Sequence, residues 1–131
     1  MSESKSGKRI GVFLLLAISI IAILGAVSIP KYQANAVRNA KETVLKDNLS
    51  EMRRMIQLYT KERKKAPQSL QDLVEGGYFR QLPTDPITKS NSSWEPVTDT
   101  AVASHDQTNG ITNVYSGSSV ISSRGTAYNT W

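Results

Sequence analysis

Few side chains in this chain of 131 residues are suited to covalent chemistry, and they are thinly spread. Cysteine is absent, which excludes disulfides, thiolate metal sites, iron–sulfur clusters and cysteine nucleophiles. The single histidine, His105, excludes any multi-histidine metal centre and leaves little for acid–base catalysis. A hydrolase would have to set Ser116 or Ser118 against His105 and Asp106. No nucleophile-elbow or oxyanion motif accompanies those serines, and a serine-rich tail ordinarily signals turns. No phosphate-binding loop and no internal repeat is present. The expectation is that the chain is not an enzyme. The basic run Lys61-Glu62-Arg63-Lys64-Lys65 reads as a solvated helix end whose cations complement the helix dipole. It has no interleaved aromatics, so nucleic acid is not expected as a partner.

The charge is unevenly distributed. Thirteen lysines and arginines face five acids in residues 1–65, whereas three face six in residues 66–131. A size of this order, with 39% hydrophobic residues, holds one modest core.

Residues 10–29 read IGVFLLLAISIIAILGAVSI, without a charge. At about 1.5 Å per helical residue such a stretch spans about 30 Å, the thickness of a bilayer's hydrocarbon core. As a cleaved signal peptide, with Ala26 and Ser28 at its cleavage site, it would have too long an apolar region and a proline just past the cut. An uncleaved anchor fits better. Lys5, Lys8 and Arg9 precede it, so residues 1–9 are expected in the cytoplasm, although Lys31, Arg38 and Lys41 follow closely on the other side.

Past Pro30 the pattern becomes amphipathic. Leu45, Leu49, Met52, Ile56 and Tyr59 recur at helical spacing, with Val37, Ala40 and Val44 extending the stripe backwards. Arg38, Lys41, Glu42, Lys46, Asp47, Glu51, Arg53 and Arg54 are assigned to the wetter faces. The spacing predicts a helix over 31–65, bent at Pro30 where membrane gives way to water. Ser69 as N-cap and Gly76-Gly77 as stop predict a short helix over 69–75. Pro83, Pro86 and Pro96 mark an extended stretch with little periodicity. Short antiparallel strands are then predicted at Ile111, Val114 and Tyr115, at Val120-Ile121, and from Tyr128 to Trp131, within loops and sheet over 76–131. So small a sheet needs a cover, and the stripe of the long helix is the face on offer. The fold class is α+β, with residues 30–131 forming one globular domain.

The order of these fragments is specific. Ile29-Pro30-Lys31-Tyr32 ends the apolar helix. Ala40-Lys41-Glu42-Thr43-Val44-Leu45-Lys46-Asp47-Asn48-Leu49 follows, then Pro67-Gln68-Ser69-Leu70-Gln71-Asp72-Leu73-Val74, Gly77-Tyr78-Phe79-Arg80 and Leu82-Pro83-Thr84-Asp85-Pro86-Ile87-Thr88. Trp94-Glu95, the run from Gly110 to Ser118 and the tail Gly125-Thr126-Ala127-Tyr128-Asn129-Thr130-Trp131 complete the series. Together they resemble type IV pilin-like proteins, most closely the major pseudopilin of type II secretion systems.

The resemblance implies a pilin-like fold and a structural subunit whose N-terminal helices pack into a filament supporting protein export. It implies a bacterial inner-membrane, single-pass protein with its C-terminal domain in the periplasm. Its expected partners are membrane lipid, further copies of itself, other pilin-like subunits and inner-membrane assembly proteins. The alternative is an accessory protein of such a machine that does not polymerise. Members of the family hold calcium in a C-terminal loop. Here no Asp or Glu follows Asp106, Arg124 stands where related tails carry an acid, and Asn113 and Asn129 offer only neutral oxygens, so no calcium and no other cofactor is expected.

Family members also carry a glycine before the prepilin cut, a phenylalanine after it and a glutamate as the fifth mature residue. Registered on Pro30, those places hold Lys8, Arg9 and Phe13. Within the family the glutamate pairs with a freed amine inside the membrane, so losing the cut and the glutamate together is self-consistent. A family peptidase is therefore expected to leave this chain whole, with its three cations opposing extraction by about 2.5–3.5 kcal/mol each. Intact-mass spectrometry of the membrane-extracted protein checks this, and a mass short of the first residues would refute it.

Overall fold

The computed structural model describes residues 3–99 and 109–131. A run without glycine between Gly25 and Gly76, and with Pro30 as its one early proline, favours continuous helix. Helix α1 occupies Glu3–Arg63 and continues through Pro30 without a break. It stops two residues short of the expected end because Lys64 takes a left-handed φ of 57°. Beyond it lies Pro67, which restricts the residue before it to extended backbone. Lys61 and Arg63 occupy the last turn, where cations complement the dipole.

The chain divides into two compact units, Met1–Arg38 and Asn39–Trp131. The division falls later than Pro30 because residues 31–38 are exposed, and burial along the helix begins only near Glu42. In the second unit Leu45, Leu49, Met52, Ile56 and Tyr59 are all buried, and Met55 joins them. They share one cluster with Leu70, Leu73, Trp94, Ile111, Val114 and Tyr128.

Helix α2 is shorter than the expected 69–75 and covers Gln71–Glu75. Its start is nevertheless built from Ser69. The Asp72 backbone N–H donates to Ser69 Oγ at 3.3 Å, and the Asp72 carboxylate accepts from the Gln68 and Ser69 N–H groups. This is a reciprocal capping arrangement. Partial burial alone would raise the Asp72 pKa, but the hydrogen bonds from Gln68 and Ser69 and the charge of Lys65 outweigh it and hold the carboxyl below its usual range. Gly77, at φ 82°, provides the left-handed turn that ends the helix.

Two antiparallel strands form the sheet, β1 (Glu95–Asp99) and β2 (Gly110–Tyr115). The first lies in the stretch read as merely extended. Pro96 is tolerated because each strand of a two-stranded sheet has a free edge. Register shifts between Val97 and Thr98, where Val97 faces Asn113 and Thr98 faces Ile111, so Thr112 is an extra residue. That bulge lets Ile111 and Val114, at an interval of three, both reach the core.

The two remaining predicted strands are corrected. Ile121 makes only an isolated bridge to Ala127, and Tyr128–Thr130 is a 3-10 turn. The tail still bonds back to its neighbour through Tyr128 N–H to Val120 O and Asn129 N–H to Ser118 O. It does so without a ladder, because Tyr128 turns inward to the core.

Leu49→Ala and Ile56→Ala are each expected to lower stability by about 2–5 kcal/mol, the cost of an internal cavity. Denaturant melts of the full chain in detergent measure this, and no loss for either variant would contradict the packing of helix on sheet.

Candidate functional site

Two regions of the described chain have properties that a plain scaffold would not require, and they lie in different units.

The first is the apolar part of α1. Phe13, Leu15 and Ile21 are each about 70% exposed, as large apolar side chains seldom are in water. No charge falls between Arg9 and Lys31. Two serines interrupt the hydrocarbon surface, and both hydroxyls are satisfied inside the helix. Ser19 Oγ donates to Leu15 O at 2.8 Å and Ser28 Oγ to Leu24 O at 2.9 Å. The serine hydroxyls are thus paired within the segment, and so is the helical backbone except at Ala26 O, to which Pro30 cannot donate, which is close to what a lipid environment demands. This helix is long and apolar enough to cross a membrane.

The second region is the C-terminal segment and the polar side chains of α1 that hold it. Glu42, which the pattern placed on a wetter face, is buried. Its carboxylate accepts hydrogen bonds from Ser123 N–H at 2.7 Å, Ser123 Oγ at 2.5 Å and Tyr128 OH at 2.8 Å. Arg53, also assigned to a wet face, is half-buried. Its Nη2 donates to Val114 O at 2.9 Å and to the main-chain oxygen of Trp131 at 2.5 Å, and its guanidinium lies 5.3 Å from the Tyr115 ring centroid. A second fully buried charge, Asp85, closes a turn by accepting from Ile87 and Thr88 N–H. It also accepts from Ser116 Oγ, which ties that turn to the end of β2.

Ser116 is therefore buried and already donating to Asp85, and Ser118 is buried with its Oγ accepting from Val120 N–H. Both hydroxyls lock turns. His105 and Asp106 lie outside the described residues. Arg124 is exposed in the turn between Ser122 and Thr126, whose main chains bond at 2.8 Å, with Gly125 at φ 81°. The described residues contain no group of three or more His, Asp or Glu able to hold a metal ion.

Sequence reasoning missed Glu42 as an anchor because residue type outweighed position. It stands three residues before Leu45, in phase with the stripe Leu45, Leu49, Met52, Ile56 and Tyr59, and that phase was the available signal. Asp85 had no comparable signal, since its partners come from loops.

Glu42→Gln keeps the shape but swaps one acceptor oxygen for an amide donor facing donors. It is expected to lower stability by about 1–3 kcal/mol, and more than Asp47→Asn on the exposed face. Urea titration of the two variants, side by side, measures the difference. Comparison with models of protein families, with curated proteins and with solved structures finds no match to this chain.

Proposed function

We propose that this chain is a pilin-like structural subunit, anchored in a bacterial inner membrane by residues 10–29 and carrying residues 39–131 as its periplasmic domain. The reading rests on one observation above others. A helix whose first half shows hydrocarbon on every side continues, without a break in the backbone pattern, into a half that shows it on one side only. The apolar half is suited to lipid or to identical helices. The one-sided half is committed to its own small sheet. The subunit would work by packing, as part of a filament serving secretion or a related pilus-like system.

The accessory, non-polymerising reading is favoured by one particular. Phe13 occupies the place where the family pattern requires an intramembrane acid, so the ion pair that would register one helix against the next has no counterpart here.

The absence of native cysteine gives a direct test. The chain carrying both Leu16→Cys and Ile23→Cys is treated in membranes with a thiol-reactive bifunctional cross-linker. A head-to-tail contact that does not close gives a ladder of dimers, trimers and higher species. Monomer alone, or a product that stops at dimer, would exclude the filament and leave the accessory role.

A further inference from the structure

An open groove of about 850 Å³ runs along α1 in the second unit, lined by Lys46, Leu49, Arg53, Arg54, Arg124 and Trp131, with smaller polar residues between them. Four of these six side chains are cationic and none is acidic. Glu51, three residues before Arg54 on the helix, is paired with it at 2.8 Å and has its pKa lowered by that hydrogen bond. No side-chain carboxylate pairs with Lys46, Arg53 or Arg124 among the described residues. Lys46 lies 4.8 Å from the Trp131 ring centroid, and Arg53 directs its Nη2 to main-chain oxygens.

The groove is thus cationic along its length with an apolar floor of Leu49 and Trp131. Lys46 and Arg53 are too far apart along the helix to close together on one small anion. Lys46 and Arg53 are seven residues apart on a helix, which is about 10 Å along the axis. An extended chain in the polyproline II conformation advances about 9.3 Å in three residues and returns the same face. Two carboxylates at that interval match the two ends of the groove, and the residues between them meet the apolar floor.

We propose that this groove binds an extended acidic segment of a partner protein, with carboxylates three residues apart and an apolar residue between them. Lys46 and Arg53 set the spacing, Arg53 through the part of its guanidinium that does not bond main-chain oxygen, while Arg124 adds an exposed cation and Trp131 the contact surface. The proposal does not depend on whether the chain polymerises.

The test uses the full chain in nonionic detergent and a fluorescein-labelled peptide, Gly-Asp-Pro-Leu-Asp-Gly, read by anisotropy at low salt. Its isomer Gly-Pro-Asp-Asp-Leu-Gly carries the same charge with adjacent acids. The spaced peptide is expected to bind about tenfold tighter than the isomer, and Lys46→Glu and Arg124→Glu are each expected to weaken it by a similar factor. Both side chains are exposed, and thermal melts establish that the variants fold. Arg80→Glu, an exposed cation outside the groove, changes net charge equally and should leave binding intact. Equal binding of the two peptides, equal loss in Arg80→Glu, or displacement by pyrophosphate as effective as by peptide would reduce the groove to a general polyanion patch and overturn the proposal. No peptide binding would overturn it too. So would self-association abolished by Arg124→Glu in sedimentation runs, since the occupant would then be a second copy.

Discussion

Two strands with one ladder between them bury too little apolar surface to stand in water, and the second unit has only such a sheet among its described residues. Everything in that unit therefore depends on the stripe of α1 from Leu45 to Tyr59. It supplies the cover under which Ile111, Val114, Trp94 and Tyr128 become a core. The helix gains as well, because an amphipathic segment draws most of its stability from the face it buries. Neither element has a sufficient reason to exist without the other.

With so little ladder, polar side chains take over work that backbone pairing does in larger sheets. Glu42 holds the Ser123 turn and Tyr128, Arg53 holds the ends of β2 and of the tail, and Asp85 holds Ser116. The carboxylates of Glu42 and Asp85 each accept several hydrogen bonds, which is the condition for burying them without a large penalty, whereas Arg53 pairs its Nη2 and leaves its buried Nε without a partner. Glycine serves the same close-packed architecture at Gly117. A Cβ there would run into the carbonyl oxygen of Ser93, so only hydrogen fits where the chain leaves β2.

The legible parts of the fold were those in which period and burial agree. The stripe of α1 buries one face over four turns, so its spacing carries through to the core without distortion. Strand β1 was illegible as a strand because its side chains are mostly exposed and it contains Pro96, leaving neither alternation nor composition to mark it. Ile111 and Val114 were legible as strand residues, and the extra residue Thr112 accounts for their interval of three, which a regular strand would place on opposite faces. Tyr128 was read as a strand residue from its type, but its hydroxyl is claimed by Glu42 at a separation of 86 residues. No local rule reports an interaction of that span. The same limit applied to the C-terminal region as a site. Its cations were visible one by one, but their convergence on a single groove follows from tertiary closure.

That span also governs the order of events during synthesis. Glu42 meets Ser123 across 81 residues and Arg53 meets Trp131 across 78. A ribosome adding about 5–20 residues per second needs about 4–16 seconds to cover such a distance. The apolar part of α1 is made before the rest. The stripe from Leu45 to Tyr59 then waits uncovered until the last turns arrive, and non-local closure of this kind is intrinsically slow. In that interval the chain presents a second greasy helix face to its surroundings. Shielding that face, as a holding chaperone does, is a requirement that the finished structure no longer displays.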